Sequence, residues 1–246
     1  MGRVSLAWVC AACVTAGCSR YATPGGPAPI AALRQTDSYL QSSYEAKPLA
    51  TFPAFIAIAR VQGNDYKSRT AQSYGHGAFR IVTTRDVESD AAIGRLNALP
   101  GVRGLAPLNR MLVPLNLQSE DDLRRAAARL KSDMLLMYTF DTQFYVKDFA
   151  APVTLISLGL SPNRRAYVTT TASAVLIDTR SGFVYGGAEA TAKSDQLANG
   201  WTSEDAIDDT RLRTEKETFE KLVGELEKAW PDVVKQHAQP ATQPQP

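Results

Sequence analysis

From Ser203 to Lys235 the chain carries one long amphipathic pattern. Leu212, Phe219, Leu226 and Val233 recur every seven residues, and Leu222, Val223, Ala229 and Trp230 widen the same stripe. A helix of that length cannot bury its stripe alone. It needs an extended apolar surface to lie on, and the upstream sequence offers one in a series of short β-type runs. Pro231 sits late in the pattern, where its ring clashes with the carbonyl four residues back, so a kink or an end is predicted near Ala229.

The upstream runs alternate with helical patterns. Phe55–Val61 is a short apolar run that reads as a buried strand, Gly63–Gly77 as a polar loop, and Ala78–Thr83 as a second strand. Asp86–Leu99 has Ala92, Leu96 and Leu99 on one helical face, with Asp86 as the predicted cap and Pro100-Gly101 as the stop. Val102–Val113 holds a strand that Pro107 and Pro114 limit. Ser119 opens the next helix: an acidic first turn, Glu120-Asp121-Asp122, suits the positive end of the helix dipole, and Leu123, Ala126, Ala127 and Leu130 form the apolar stripe. Ser132-Asp133 ends it, and Met134–Phe140 follows as the predicted central strand. Tyr167–Asp178 and Phe183–Ala192 form a β-hairpin around Thr179-Arg180-Ser181-Gly182, with Gly182 able to take a positive φ. The order β, β, α, β, α, β, β, β, α predicts an α/β fold. Its mixed sheet contains a long antiparallel hairpin and is packed by two short helices and one long C-terminal helix.

The N-terminus carries a different signal. Arg3 precedes a mostly apolar Val4–Val14 run that is too short to span a bilayer, and Ala16-Gly17 put small residues before Cys18. This is the anatomy of a secretory signal peptide, and the cysteine at the cleavage point makes it resemble a bacterial lipoprotein signal. In such signals the thiol is diacylated and becomes the first mature residue. A plain signal peptide with incidental cysteines, or a buried N-terminal helix, is the alternative, and Cys13 is a second, poorer candidate, because Cys10 would then stand where leucine is usual. With Cys18 as anchor the predicted organisation is a signal over 1–17, a lipidated tether over 18–50, a single domain over 51–235 and a disordered tail over 236–246. Thr23-Pro24-Gly25-Gly26-Pro27-Ala28-Pro29 keeps the tether out of regular structure, with a short helix conceivable over Ile30–Gln41. Extended, a tether of this length reaches roughly 100 Å. Ser19 follows the cysteine in place of aspartate, and by resemblance to the sorting rule of such lipoproteins this favours the periplasmic face of the outer membrane over the inner membrane.

Composition narrows the function classes. A hydrophobic content of 44% with 21% charged residues is that of a globular domain. A net charge of +2 leaves no electrostatic footprint for nucleic acid. All three cysteines lie at or before Cys18, so the mature chain can build neither a disulfide framework nor a thiolate site.

The run Ala128-Arg129-Leu130-Lys131-Ser132-Asp133-Met134-Leu135-Leu136, a helix passing through Ala-Asp-like residues directly into an apolar strand, and the hairpin turn Asp178-Thr179-Arg180-Ser181-Gly182 carry a family resemblance. With the element order over about Phe52–Trp230, they make the chain similar to three groups. These are the curli-secretion lipoprotein, the penicillin-binding-protein activator lipoproteins and the amino-terminal domain of the Tol-system β-propeller protein. The resemblance implies an accessory, non-enzymatic role and supplies no catalytic residues. Pore-forming members carry amphipathic membrane hairpins. The one candidate here, Phe149–Leu160, does not alternate as a barrel strand does, so pore formation is not expected.

Candidate chemistry is sparse. His76 lies in a glycine-flanked loop and His237 in the tail, which gives no dyad or histidine-rich metal site, and no metal or cofactor is expected. Glu204, Asp205, Asp208 and Asp209 form the densest carboxylate cluster. It reads as an acidic first helical turn capped by Thr202 or Ser203, or as a cation site or an acid/base pair, the last serving a hydrolase if two carboxylates converge. Tyr138, Phe140, Phe144 and Tyr145 make a partner surface if exposed and half a core if not, and Arg164-Arg165 is a basic spot that could meet anionic glycan or headgroups. The sequence therefore predicts a non-enzymatic envelope lipoprotein that meets the bilayer through Cys18 and another envelope protein through its domain. A glycan or small-ligand binder using Phe149–Arg165 is the alternative.

Overall fold

The structure, a computed structural model, describes residues 26–27, 37–148, 164–198 and 203–238. Its elements are α1 (Asp37–Glu45), β1 (Ala54–Gly63), β2 (Ser73–Tyr74), β3 (His76–Gly77), β4 (Phe79–Val82), α2 (Asp90–Asn97), β5 (Val102–Pro107), β6 (Asn116–Leu117), α3 (Glu120–Arg129), β7 (Met134–Asp148), β8 (Arg164–Asp178), β9 (Val184–Ala198) and α4 (Ser203–His237). The predicted mixed α/β architecture is the one observed.

One sheet runs β2-β4-β1-β7-β8-β9. β1 pairs parallel with β7 on one side; on the other, β5 lies parallel along its first half and β4 antiparallel along its second. β7, β8 and β9 are antiparallel, 15 residues each, and paired over nearly their whole length. Period-two alternation divides the buried side chains between two layers. Ile56 and Ile58 of β1, with Met134, Leu136, Tyr138 and Phe140 of β7, pack against α2 and α4. Ala57, Ala59 and Val61, with Leu135 and Met137, pack against α3 through Leu123, Ala126 and Ala127. The sheet is therefore buried on both faces where β1 and β7 run together, which explains why their sequences read as continuous apolar runs.

Local chemistry fixes the ends of the elements. Ser119 and Asp122 form a reciprocal capping box at the start of α3. α2 begins at Asp90, capped by the Ser89 hydroxyl accepting from Ala92 N at 3.0 Å; Asp86 does not cap it, because its carboxylate is turned to Arg60 instead. The Gly63–Gly77 stretch contributes β2 and β3, and the Val102–Val113 strand ends at Pro107; of the helix predicted over Ile30–Gln41, residues 30–36 lie outside the described residues and α1 covers the rest.

α4 runs through Pro231 to His237, so the helix does not end near Ala229. Its last turns are held from outside the ladder: Trp230 is buried and donates to Pro100 O at 2.7 Å, and Val233 and Val234 pack on the core. Packing on both sides of the proline offsets one lost backbone bond.

At the β8–β9 turn, Gly182 takes φ 75°, and a Cβ there would stand 2.8 Å from Arg124 Nη1. Gly182→Ala is expected to cost about 1–2 kcal/mol for the left-handed backbone alone. Chemical denaturation with an unchanged m-value would measure it.

Candidate functional site

The densest set of chemistry-bearing side chains lies between the sheet and the first half of α4. Arg60 follows Ile56 and Ile58 in the row of β1 that faces α4, and it is 3% exposed. Its Nη1 lies 2.8 Å from Asp86 Oδ1 and 3.6 Å from Glu88 Oε1, and its Nη2 lies 3.7 Å from Glu215 Oε2. On α4, Arg211 is fully buried and bridges Asp208 at 3.0 Å and Glu215 at 2.8 Å, one helical turn to either side. Hydroxyls supply the remaining donors. Tyr138 donates to Glu88 at 2.7 Å, Thr142 to Glu215 at 2.9 Å and Thr70 to Asp86 at 2.6 Å. Arg60 lies over the Phe140 ring at 4.8 Å and donates to the Tyr66 hydroxyl at 3.1 Å.

Burial works against the charge on Arg60, yet Tyr66, Glu88, Glu215 and Asp86 together outweigh it and hold the guanidinium above its ordinary pKa. Arg211 behaves alike: burial opposes its charge, and Glu215 and Asp208 more than restore it. Burial, reinforced by Glu88, pushes the Tyr138 hydroxyl well above its ordinary value, so it acts as a neutral donor.

The chemical consequence is a lock between segments. Each of Asp86, Glu88 and Glu215 receives both a guanidinium and a hydroxyl, so their acid groups are turned toward the protein itself. The network ties five segments together: β1, the Tyr66–Thr70 loop, the Asp86–Glu88 entry to α2, β7 through Tyr138 and Thr142, and α4. Threonines complete the seam. Thr210, Thr214 and Thr218 are buried on α4, and the last two donate back to the carbonyl four residues earlier at 2.7 and 2.6 Å. The heptad pattern anticipated none of this, because the first half of α4 buries polar groups where the stripe predicts apolar ones. A charged residue in register with Ile56 and Ile58 was the readable clue.

A second carboxylate pair holds the opposite end. Asp178, fully buried, accepts from Leu49 N at 2.7 Å, Tyr185 Oη at 2.7 Å, Arg180 N at 2.8 Å and Ser181 N at 3.0 Å. Asp133 accepts from Thr51 Oγ1 and Phe55 N at 2.9 Å each, flanked by Arg103 and Arg180. The two aspartates of the family-like motifs thus bind the Leu49–Phe55 strap to the hairpin turn. Burial alone would raise the Asp178 pKa, but the donors from Ser181, Tyr185, Leu49 and Arg180 bring it below the ordinary carboxylate value.

The sequence-predicted residues separate. Tyr138 and Phe140, at 5% and 2% exposed, stack with Phe219 in the α4-facing core and form no surface; the alternation of β7 turns them inward. Phe144 is half-buried, and Tyr145 is 63% exposed with its ring 6.1 Å from Tyr167. Cys18, residues 149–163 and the side chains of Arg164, Arg165, Glu204 and Asp205 lie outside what the structure describes. Asp208 turns to Arg211 while its neighbour Asp209 is exposed, so this pair does not converge. His76 is exposed in β3; His237 packs edge-on to Phe183 and Tyr185 at 5.5 and 5.1 Å. Among the described residues no three histidine, cysteine or carboxylate side chains could hold a metal ion, and no helix is long and apolar enough to cross a membrane.

No protein-family model matches the sequence, nor does any curated protein. Among solved structures the chain is similar to a homolog of the neuraminyllactose-binding hemagglutinin from Helicobacter pylori (TM-score 0.38, 9% identity, covering 77% of this chain and 95% of that one). It is also similar to a DUF330-family protein from Xanthomonas campestris (TM-score 0.32, 10% identity, 77% and 91%). A third is lipoprotein GNA1162 from Neisseria meningitidis (TM-score 0.30, 11% identity, 75% and 99%). At such TM-scores these likenesses assign neither a function nor a site to this chain.

Proposed function

We propose that the chain is a cell-envelope lipoprotein, held on the periplasmic face of the outer membrane by an acylated Cys18, whose domain serves as a non-enzymatic binding module for another envelope protein. The observation that carries the proposal is the N-terminal arrangement itself: a basic residue, an apolar run too short to span, small residues, then Cys18. The structure supports the second half of the reading. The buried carboxylates and guanidiniums that an enzyme would turn toward a substrate are spent on bonds between segments. The finer kinship, to the curli-secretion and penicillin-binding-protein-activator lipoproteins and the Tol-system amino-terminal domain, is part of this proposal. It rests on the junction at Asp133 and the turn at Asp178, both of which have a defined architectural task here.

Durable anchoring needs more than one acyl chain, and a lipoprotein cysteine supplies them. Cys18→Ser is therefore expected to move the protein from the membrane pellet to the soluble fraction on cell fractionation while leaving its thermal melt unchanged. Retention in the pellet after carbonate washing would contradict the anchor.

A further inference from the structure

β9 is the last strand of the sheet, and among the described residues no strand lies along its outer edge. A free edge of 15 residues is a template for another strand. Its side chains alternate. Ala188, Ala190 and Ala192 turn toward α4; Glu189, Thr191 and Lys193 stand exposed on the opposite face. The two charges are opposite in sign and equally spaced on either side of Thr191.

We infer that this edge is a self-complementary contact at which two copies of the chain join, β9 antiparallel to β9, with Thr191 on the two-fold axis. In that register Glu189 of each copy stands directly opposite Lys193 of the other, so two ion pairs form from one symmetry operation. Ala190 falls opposite Ala192 and Ala188 opposite Ser194, which keeps the helix-facing side small where the two copies meet. Charges on an edge strand normally repel a neighbouring strand. Here their placement selects one partner: a one-residue slip moves each charge to the wrong face, and a two-residue slip separates the pairs.

One side chain already touches the edge. Lys221 of α4 reaches Thr191 O at 3.5 Å, but its amine is also 2.8 Å from Glu217 and the side chain is half exposed. It can swing into that ion pair when a strand docks.

The test uses the full-length chain with Cys10, Cys13 and Cys18 replaced by serine, which makes it independent of the anchor. In that background Thr191→Cys places its sulfur opposite its own copy, at a Cα separation of about 4.5–5.5 Å that a disulfide spans. Mild oxidation should convert it to a covalent dimer. Asp195→Cys, which faces position 187 of the other copy, should associate like the parent but give no covalent dimer. By light scattering Glu189→Lys should weaken association at least tenfold, and Glu189→Lys with Lys193→Glu should restore it. A monomeric parent chain, a Thr191→Cys variant that does not cross-link, or an Asp195→Cys variant that cross-links equally well would each overturn the inference.

Discussion

Arg60→Met is expected to cost about 3–5 kcal/mol of folding stability, because it removes the cation while leaving Asp86, Glu88 and Glu215 buried around the vacated position. Methionine fills similar space, so the loss reports charge rather than volume. The arginine also matters for its shape. Its two terminal nitrogens address different partners, Asp86 and Glu88 from one, Tyr66 and Glu215 from the other, which a lysine ammonium cannot reproduce. Arg60→Lys should therefore recover only a minor part of the loss. Urea unfolding followed by tryptophan fluorescence measures both variants. A loss under about 1 kcal/mol for Arg60→Met, the value of an exposed ion pair, would mean that the network does not hold α4 to the sheet.

Asp178→Ala is expected to cost about 3 kcal/mol, since it strips the acceptor from three backbone amides and the Tyr185 hydroxyl at the point where the Leu49–Phe55 strap meets the hairpin turn. The carboxylate also gives stability a pH dependence of defined sign. Its pKa in the folded chain is lowered below the ordinary value, so its contribution is fully present above about pH 4, the unfolded value, and is lost as pH falls through the folded one. Asp178→Asn should therefore show a flatter acid limb than the parent below pH 4, with the largest difference between the two proteins at neutral pH. Parallel acid limbs would assign the pH dependence to other carboxylates.

These two sites also mark the boundary of what the amino-acid pattern reveals. β1, β4, α3 and the β8–β9 hairpin follow from local rules: apolar runs bounded by breakers, a capping box at Ser119, and a glycine at φ 75° in the turn. The inward side of β7 follows from alternation once β1 and α4 are known to flank it, but an isolated strand does not say which side is covered. Hence Tyr138 and Phe140 could be read as surface or core until Phe219 is placed against them. Asp86 looks like a cap because it precedes a helical pattern; only the distant Arg60, 26 residues earlier in sequence, draws it away and leaves Ser89 to cap. The seam of Thr210, Thr214 and Thr218 was hidden for the same reason. A buried threonine on a helix is recognisable only when the strands opposite are seen to present small side chains, as Thr170 and Ala192 do. Pro231 breaks a helix by local chemistry, and here packing at Trp230 and Val234 overrides it.

The proposed module commits its folded charges to architecture and its attachment to one cysteine. The most direct test is the mass of the N-terminal peptide from protein isolated from its native membranes. The predicted peptide begins at Cys18 and carries a diacylglyceryl group on the sulfur. A chain that starts elsewhere, or a Cys18 thiol that is free, would contradict anchoring through Cys18.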